Sequence, residues 1–309
     1  MPDFSDASDA QLAFIPETEW GTTPATPAFQ RVRMTGENLV FSIDNQTSNE
    51  IDPTASVKDL IQRGASATGG FDFEMSFGAE FNTLLEHALR ADFATNTLKG
   101  GTDKKSLTIE KAFQAAGTTH YQRFLGLRVN TLQINVRAQE LVTGRLDMLG
   151  SGADPMATTI ITGATYSNAN TNEIMASPEV ASITVANTVG TIYFTDLSFT
   201  LSNNLRAQAA IGQLGAAGIG YGRREITGTM NAYFEDADLY EEFVSGTAGS
   251  LTFALSDGTN SYTVTFPRSK FTTGQVVASG NNTDVMAEMG FQALYDGTAV
   301  TDIQIDKSS

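Results

Sequence analysis

Between residues 69 and 89 the apolar positions first alternate and then change period. In GGFDFEMSFGAEFNTLL, Phe71, Phe73 and Met75 fall on every second position, the spacing of a strand with one buried face. Phe81, Leu84, Leu85, Ala88 and Leu89 then follow helical spacing. The same succession returns at GTMNAYFEDADLYEEFV, residues 228–244. Met230, Ala232 and Phe234 alternate there, and Leu239, Tyr240, Phe243 and Val244 take up the helical period. Each stretch opens on a glycine, Gly69 and Gly228, 159 residues apart.

Further blocks match in the same order. LVFSIDN (Leu39–Asn45) reads like LSFTLSN (Leu197–Asn203) at an offset of 158, pairing Phe41 and Ile43 with Phe199 and Leu201. Each is followed by a weakly periodic stretch, Gln46–Thr68 and Asn204–Thr227, read here as two equivalent long loops. Loops of that length within a compact domain are usually functional or mobile. After the helices, SLTIEKAF (Ser106–Phe113) matches SLTFALSD (Ser250–Asp257) at an offset of 144, so the first copy holds about 15 extra residues near ADFATNTLKGGTDKK. Asp257-Gly258 signals a hairpin, with Tyr262, Val264 and Phe266 alternating beyond it. In the first copy Leu132, Ile134 and Val136 face one way and Gln133, Asn135 and Arg137 the other. GRLDMLG and DVMAEMGF close the two copies. Four blocks in one order point to a duplication. They predict a mainly β chain of two tandem units, 1–155 and 189–309. A Ser/Thr/Asn/Gly-rich linker joins them over 156–188.

Composition narrows the partners. Of 309 residues only 17% are charged, against about 25% in ordinary soluble domains, which suits an uncharged polar β surface with large subunit contacts. The net charge is −16, with both halves acidic, so there is no basic stripe to grip phosphates. Cysteine is absent, which excludes disulfides and thiolate metal sites. The acidic start lacks the basic and apolar regions of a signal peptide, and no apolar run approaches the roughly 20 residues that span a bilayer.

Catalytic chemistry finds no support. His87 sits beside the apolar stripe of the first helix and His120 just before a strand, neither with a telling acid or nucleophile, so both read as structural. EDADLYEE (Glu235–Glu242) lacks the glycine and spaced ligands of a calcium loop. Its acids read instead as a cap, from Asp236 or Asp238, and as first-turn dipole partners. GAAGIGYGRR (Gly215–Arg224) lacks the lysine and hydroxyl residue of a phosphate loop. No catalytic residue, metal site or cofactor is expected.

The segment ETEWGTTPATPAFQRVRMTGENL (Glu17–Leu39) resembles the opening of tail tube proteins of long-tailed, non-contractile bacteriophages. The order strand, long loop, strand, helix, strands is similar to the fold of that family. The resemblance implies two tail-tube-like domains, each a curved antiparallel β sandwich or half-barrel with one packed helix and a long loop. It implies a structural role: six tube domains per ring, hence three copies of a two-domain chain, with six copies as the alternative. Ring closure would satisfy every sheet edge and enclose roughly two dozen inner strands. The long loops would reach the next ring through Ile51, Asp52, Lys58, Asp59, Leu60, Arg63, Arg206, Ile211, Leu214, Ile219, Arg223 and Arg224. Lumen-facing acids, with Asp72, Glu74 and Glu235 as candidates, would repel passing double-stranded DNA. Implied partners are further copies and the tape measure, tail-tip and tail-terminator proteins. The implied location is the virion tail, assembled in the host cytoplasm without membrane insertion. Two other readings stay open: another virion ring or decoration protein, and a carbohydrate-binding β-sandwich. The single Trp20 forms no aromatic platform for the latter.

Overall fold

A computed structural model describes residues 4–186, 188, 192–278 and 280–309. Residues 1–3 of the acidic start, residue 187 of the linker, and residues 189–191 and 279 of the second unit lie outside this description. The first half supplies β1 (Gln11–Pro16), β2 (Ala28–Arg31), β3 (Gly36–Glu37), β4 (Val40–Thr47), β5 (Leu60–Glu74), α1 (Ala79–Leu89), β6 (Thr97–Lys99), β7 (Leu107–Ala115), β8 (Thr118–Arg137) and β9 (Thr143–Gly150). Two short strands follow, β10 (Gly152–Ala153) and β11 (Thr165–Ser167). The second half supplies β12 (Ala181–Val185), β13 (Phe194–Ser202), β14 (Arg206–Gln208), β15 (Gly218–Gly220), β16 (Glu225–Tyr233) and α2 (Asp238–Ser245). It ends with β17 (Gly249–Ser256), β18 (Ser261–Ala278), β19 (Val285–Ala293) and β20 (Gln304–Ser308).

Eight strands form one uninterrupted antiparallel sheet in the order β4-β5-β9-β8-β13-β16-β19-β18. The first four come from one half and the last four from the other, in corresponding order. The halves meet where β8 pairs with β13, from Thr131↔Ser202 to Arg137↔Asp196. A second layer covers the sheet: β11-β2-β1-β7-β8-β10 over the first half and β12-β17-β18-β20-β6 over the second. The long strands β8 and β18 belong to both layers. Each crosses where its backbone is unusual: Gly126, with φ of +64°, in β8, and Pro267, which lacks a ladder donor, in β18. The architecture is thus mainly β with a large open antiparallel sheet, and no closed barrel forms among the described residues.

The alternation holds along most of the strands, but Phe234 falls after the end of β16 and is exposed, and Ile43 on the edge strand β4 is exposed as well. Phe71, Phe73, Leu132, Ile134, Val136, Leu197, Phe199, Leu201, Met230 and Ala232 are all buried, in one continuous core that runs through both halves with Tyr262, Val264 and Phe266. α1 buries Phe81, Leu84, Leu85, Ala88 and Leu89. α2 buries only Leu239, and its Tyr240 and Val244 stay exposed. The Asp236 carboxylate accepts the Asp238 amide at 3.0 Å at the start of α2, although the residue at the cap position is Ala237.

Three readings change. The stretch Gln46–Thr68 is a loop only in its middle: β4 runs on to Thr47 and β5 begins at Leu60, leaving residues 48–59 as the loop. Gly64, Ala65, Ser66 and Ala67 hide the strand because small residues carry no alternation. Asn204–Thr227 contains the β14–β15 hairpin and the start of β16. The segment read as a linker is partly ordered structure: β11 joins β2, and β12 joins β17 of the second half. The extra residues of the first copy contain β6, which crosses to the second half and pairs with β20.

His87 is buried on α1, and its Nδ1 lies 2.7 Å from the Thr83 carbonyl. Burial pulls its pKa down to about 4, from about 6.5 in an unfolded chain. The folded state therefore holds the neutral ring while the unfolded chain takes up a proton first as pH falls. Stability through His87 is complete above pH 6.5 and is lost between 6.5 and 4. About 2 kcal/mol should disappear between pH 8 and pH 5. Urea unfolding at both values checks this, and His87→Gln should flatten the difference.

Candidate assembly surfaces

The motif around Trp20 is a structural clip. The Glu17 carboxylate accepts four hydrogen bonds, from the amides of Gly21 and Gly126 at 2.8 Å and from the hydroxyls of Ser106 at 2.7 Å and Thr108 at 2.8 Å. Trp20 Nε1 donates to the Gly126 carbonyl at 3.1 Å. The buried Arg128 guanidinium lies 5.7 Å from the Trp20 ring and 5.2 Å from that of Tyr221, a cation–π arrangement that offsets part of its desolvation. The clip fixes the N-terminal arm at the point where β8 crosses between layers.

One face of the eight-strand sheet carries no second layer. Strand register places Asp44, Asp72, Glu74, Asp147, Asp196, Glu225 and Glu288 on it, against Arg137, Arg145 and Lys270. Arg145 bonds Asp72 at 3.0 Å and Asp147 at 2.8 Å, and Arg137 bonds Asp196 at 3.0 Å. Those carboxylates raise the pKa of Arg145. Asp72 and Glu74 thus lie on this face, with the charge of Asp72 locally balanced. Glu235 does not: β16 ends at Tyr233, and Glu235 sits in the turn before α2. Acidic groups remain in excess on the face.

Both long loops leave the same end of the sheet, because β4 and β13 run in the same direction. In the first, Asp52 accepts bonds from the Thr54 amide at 2.7 Å and hydroxyl at 2.5 Å, and pairs with Lys58 at 3.1 Å. These bonds, led by that of the Thr54 hydroxyl, lower the Asp52 pKa. The Asp59 carboxylate accepts the Leu60 amide. Ile51 is fully exposed at 102%, and Val57, Leu60 and Ile61 are exposed beside it. Leu60 and Arg63 stand on β5 rather than in the loop. In the second, Ile211 is exposed at 107%, and the Leu214 carbonyl accepts the Ala65 amide at 2.8 Å, which joins one loop to the base of the other. Arg206 and Arg223 are exposed.

Two residues expected at this surface are held inside the subunit. Ile219 is buried on β15. Arg224 forms an ion pair with Asp302 at 2.7 Å and donates to the carbonyls of Leu89 and Gly101. The glycine-rich stretch is therefore a pinned return: Tyr221 stacks under Arg90 at 3.8 Å and donates to the Lys105 carbonyl at 3.1 Å. Sequence reasoning also missed the opposite rim. There Tyr193, Tyr233, Phe234 and Val285 are exposed together, linked by amide–carbonyl bonds of 3.0 Å from Tyr233 to Tyr193 and from Phe234 to Val285. Phe234 was visible as the end of the Met230–Ala232 alternation, but not that the alternation ends at an uncovered rim. Among the described residues there is no cluster of three potential metal ligands, and no helix is long and apolar enough to cross a membrane.

Among the described residues the sheet is open with two bare edges, apolar loop tips at one end and an apolar rim at the other, a surface suited to a structural subunit. The family model for phage tail tube proteins matches residues 7–293, and the chain belongs to that family. It is a structural component of the phage tail, and its family assembles into a tube. No curated protein matches the chain.

Proposed function

We propose that three copies of this chain close into a ring, that rings stack into the tube of a long, non-contractile tail, and that the acidic sheet face lines a channel for double-stranded DNA. The observation that carries the reading is the eight-strand antiparallel sheet, whose end strands β4 and β18 have no inner-sheet neighbour beyond them among the described residues. Bare strand edges are a liability that ring closure removes. An even number of strands lets one copy follow the next head to tail without breaking antiparallel order. Three copies give roughly two dozen inner strands, enough to leave an open lumen.

In this reading the two halves descend from one duplicated unit, divided within 156–188. Loop tips from one ring bear on the Tyr193–Tyr233–Phe234–Val285 rim of the next, a heterologous contact that repeats without closing. Excess carboxylates on the wall keep phosphates from binding. Tape measure, terminator and tip proteins cap the assembly. Electron microscopy of the purified protein tests this. Tubes with threefold rings and a negative channel potential are expected. Six chains per ring or a basic lumen would overturn the corresponding claim, and discrete unstacked oligomers would favour a decoration protein.

A further inference from the structure

We propose that β4 of one copy pairs with the C-terminal part of β18 of a second copy in the register that β13 and β8 adopt inside the chain. This rests on the tube reading and adds the residues that meet. The correspondence comes from pairing partners. Phe199 stands opposite Gly228, and Leu39 lies against Gly69 in the same way. β8 and β18 each carry a one-residue irregularity against their neighbour, between Val129 and Thr131 and between Phe271 and Thr273. Thr131 then stands opposite Asp147 as Thr273 stands opposite Gly290.

Inside the chain Ser202 faces Thr131, Leu201 faces Leu132 and Phe199 faces Ile134. Between copies the corresponding pairs are Ser42 with Thr273, Phe41 with Gly274 and Leu39 with Val276. Both pairs stay apolar. A leucine pair becomes phenylalanine against glycine, beside the Phe243 ring and the Met289 methyl that lie over Gly274, and phenylalanine with isoleucine becomes leucine with valine. Exposure agrees as well. Ile134 is 3% exposed at the internal junction, whereas its counterpart Val276 is 40% exposed at the free edge. Val276 faces the core side and lacks only the neighbouring strand that would cover it.

The absence of cysteine makes the test direct. Ser42→Cys and Thr273→Cys are both at exposed positions. They stand at opposite ends of the eight-strand sheet, about 30 Å apart at the usual strand spacing, so only different copies can be bridged. Assembled protein carrying both changes, treated with a short thiol cross-linker, should give ladders of chain multiples. The yield should be at least tenfold above that of Ser42→Cys combined with Gln275→Cys, which is slipped by two residues. Tubes that give no ladder, or that favour the slipped pair, overturn the register and leave the tube reading standing. A chain that stays monomeric at every concentration overturns both.

Discussion

Gly69→Ala is expected to remove about 4 kcal/mol from the stability of the subunit. Gly69 has φ of +112°, and a β-carbon there would lie 2.3 Å from the Asn38 carbonyl oxygen and 2.8 Å from its carbon. Backbone strain of about 1–3 kcal/mol adds to an overpacking cost of about 1–3 kcal/mol, because backbone cannot swing aside as a side chain can. Domains are stable by only about 5–15 kcal/mol. Gly228→Ala meets the Ser198 carbonyl oxygen and the Phe291 ring at 2.4 Å without positive φ, so about 2 kcal/mol is expected. Gly297→Ala, which meets nothing within 4 Å, should be neutral. Urea midpoints rank the three, and equal midpoints for Gly69→Ala and Gly297→Ala would discard this account of the paired glycines.

Replacing both loop tips, Ile51→Asp with Ile211→Asp, should abolish tubes while leaving the subunit folded. Each side chain is wholly exposed in the single copy, so unfolding free energy should move by less than about 0.5 kcal/mol. In a stacked ring each buried isoleucine contributes about 1.5–3 kcal/mol, and every copy repeats the loss twice. Sedimentation and microscopy read the result. Tubes of normal length formed by the double variant would remove the loops from the ring-to-ring contact.

Much of this fold was legible in the alternation. Phe71, Phe73, Leu132, Ile134 and Tyr262 were placed on the correct face because a period of two needs no knowledge of partners. Register was less accessible. Matching Phe41 to Phe199 preserves the face, but the hydrogen-bonded neighbours match Leu39 to Phe199 and Phe41 to Leu201, a slip of two residues. β6 was invisible because its partner, β20, lies about 200 residues along the chain, and three residues carry no periodic signal. At the candidate surfaces the loop tips were legible as large apolar residues in weakly periodic stretches, Ile51 between Glu50 and Asp52 and Ile211 between Ala210 and Gly212. Ile219 and Arg224 misled because their partners, including Asp302, come from distant segments.

The strand lent by the first half to the second has a consequence for how the chain can be divided. Leu98 is fully buried against Ile305 across the β6–β20 ladder, so excising either half strips a lining from the other. Two parts that look interchangeable on paper have become a key and its keyhole. Damage near residue 98 should be felt at the carboxyl terminus, and the chain should melt in a single step.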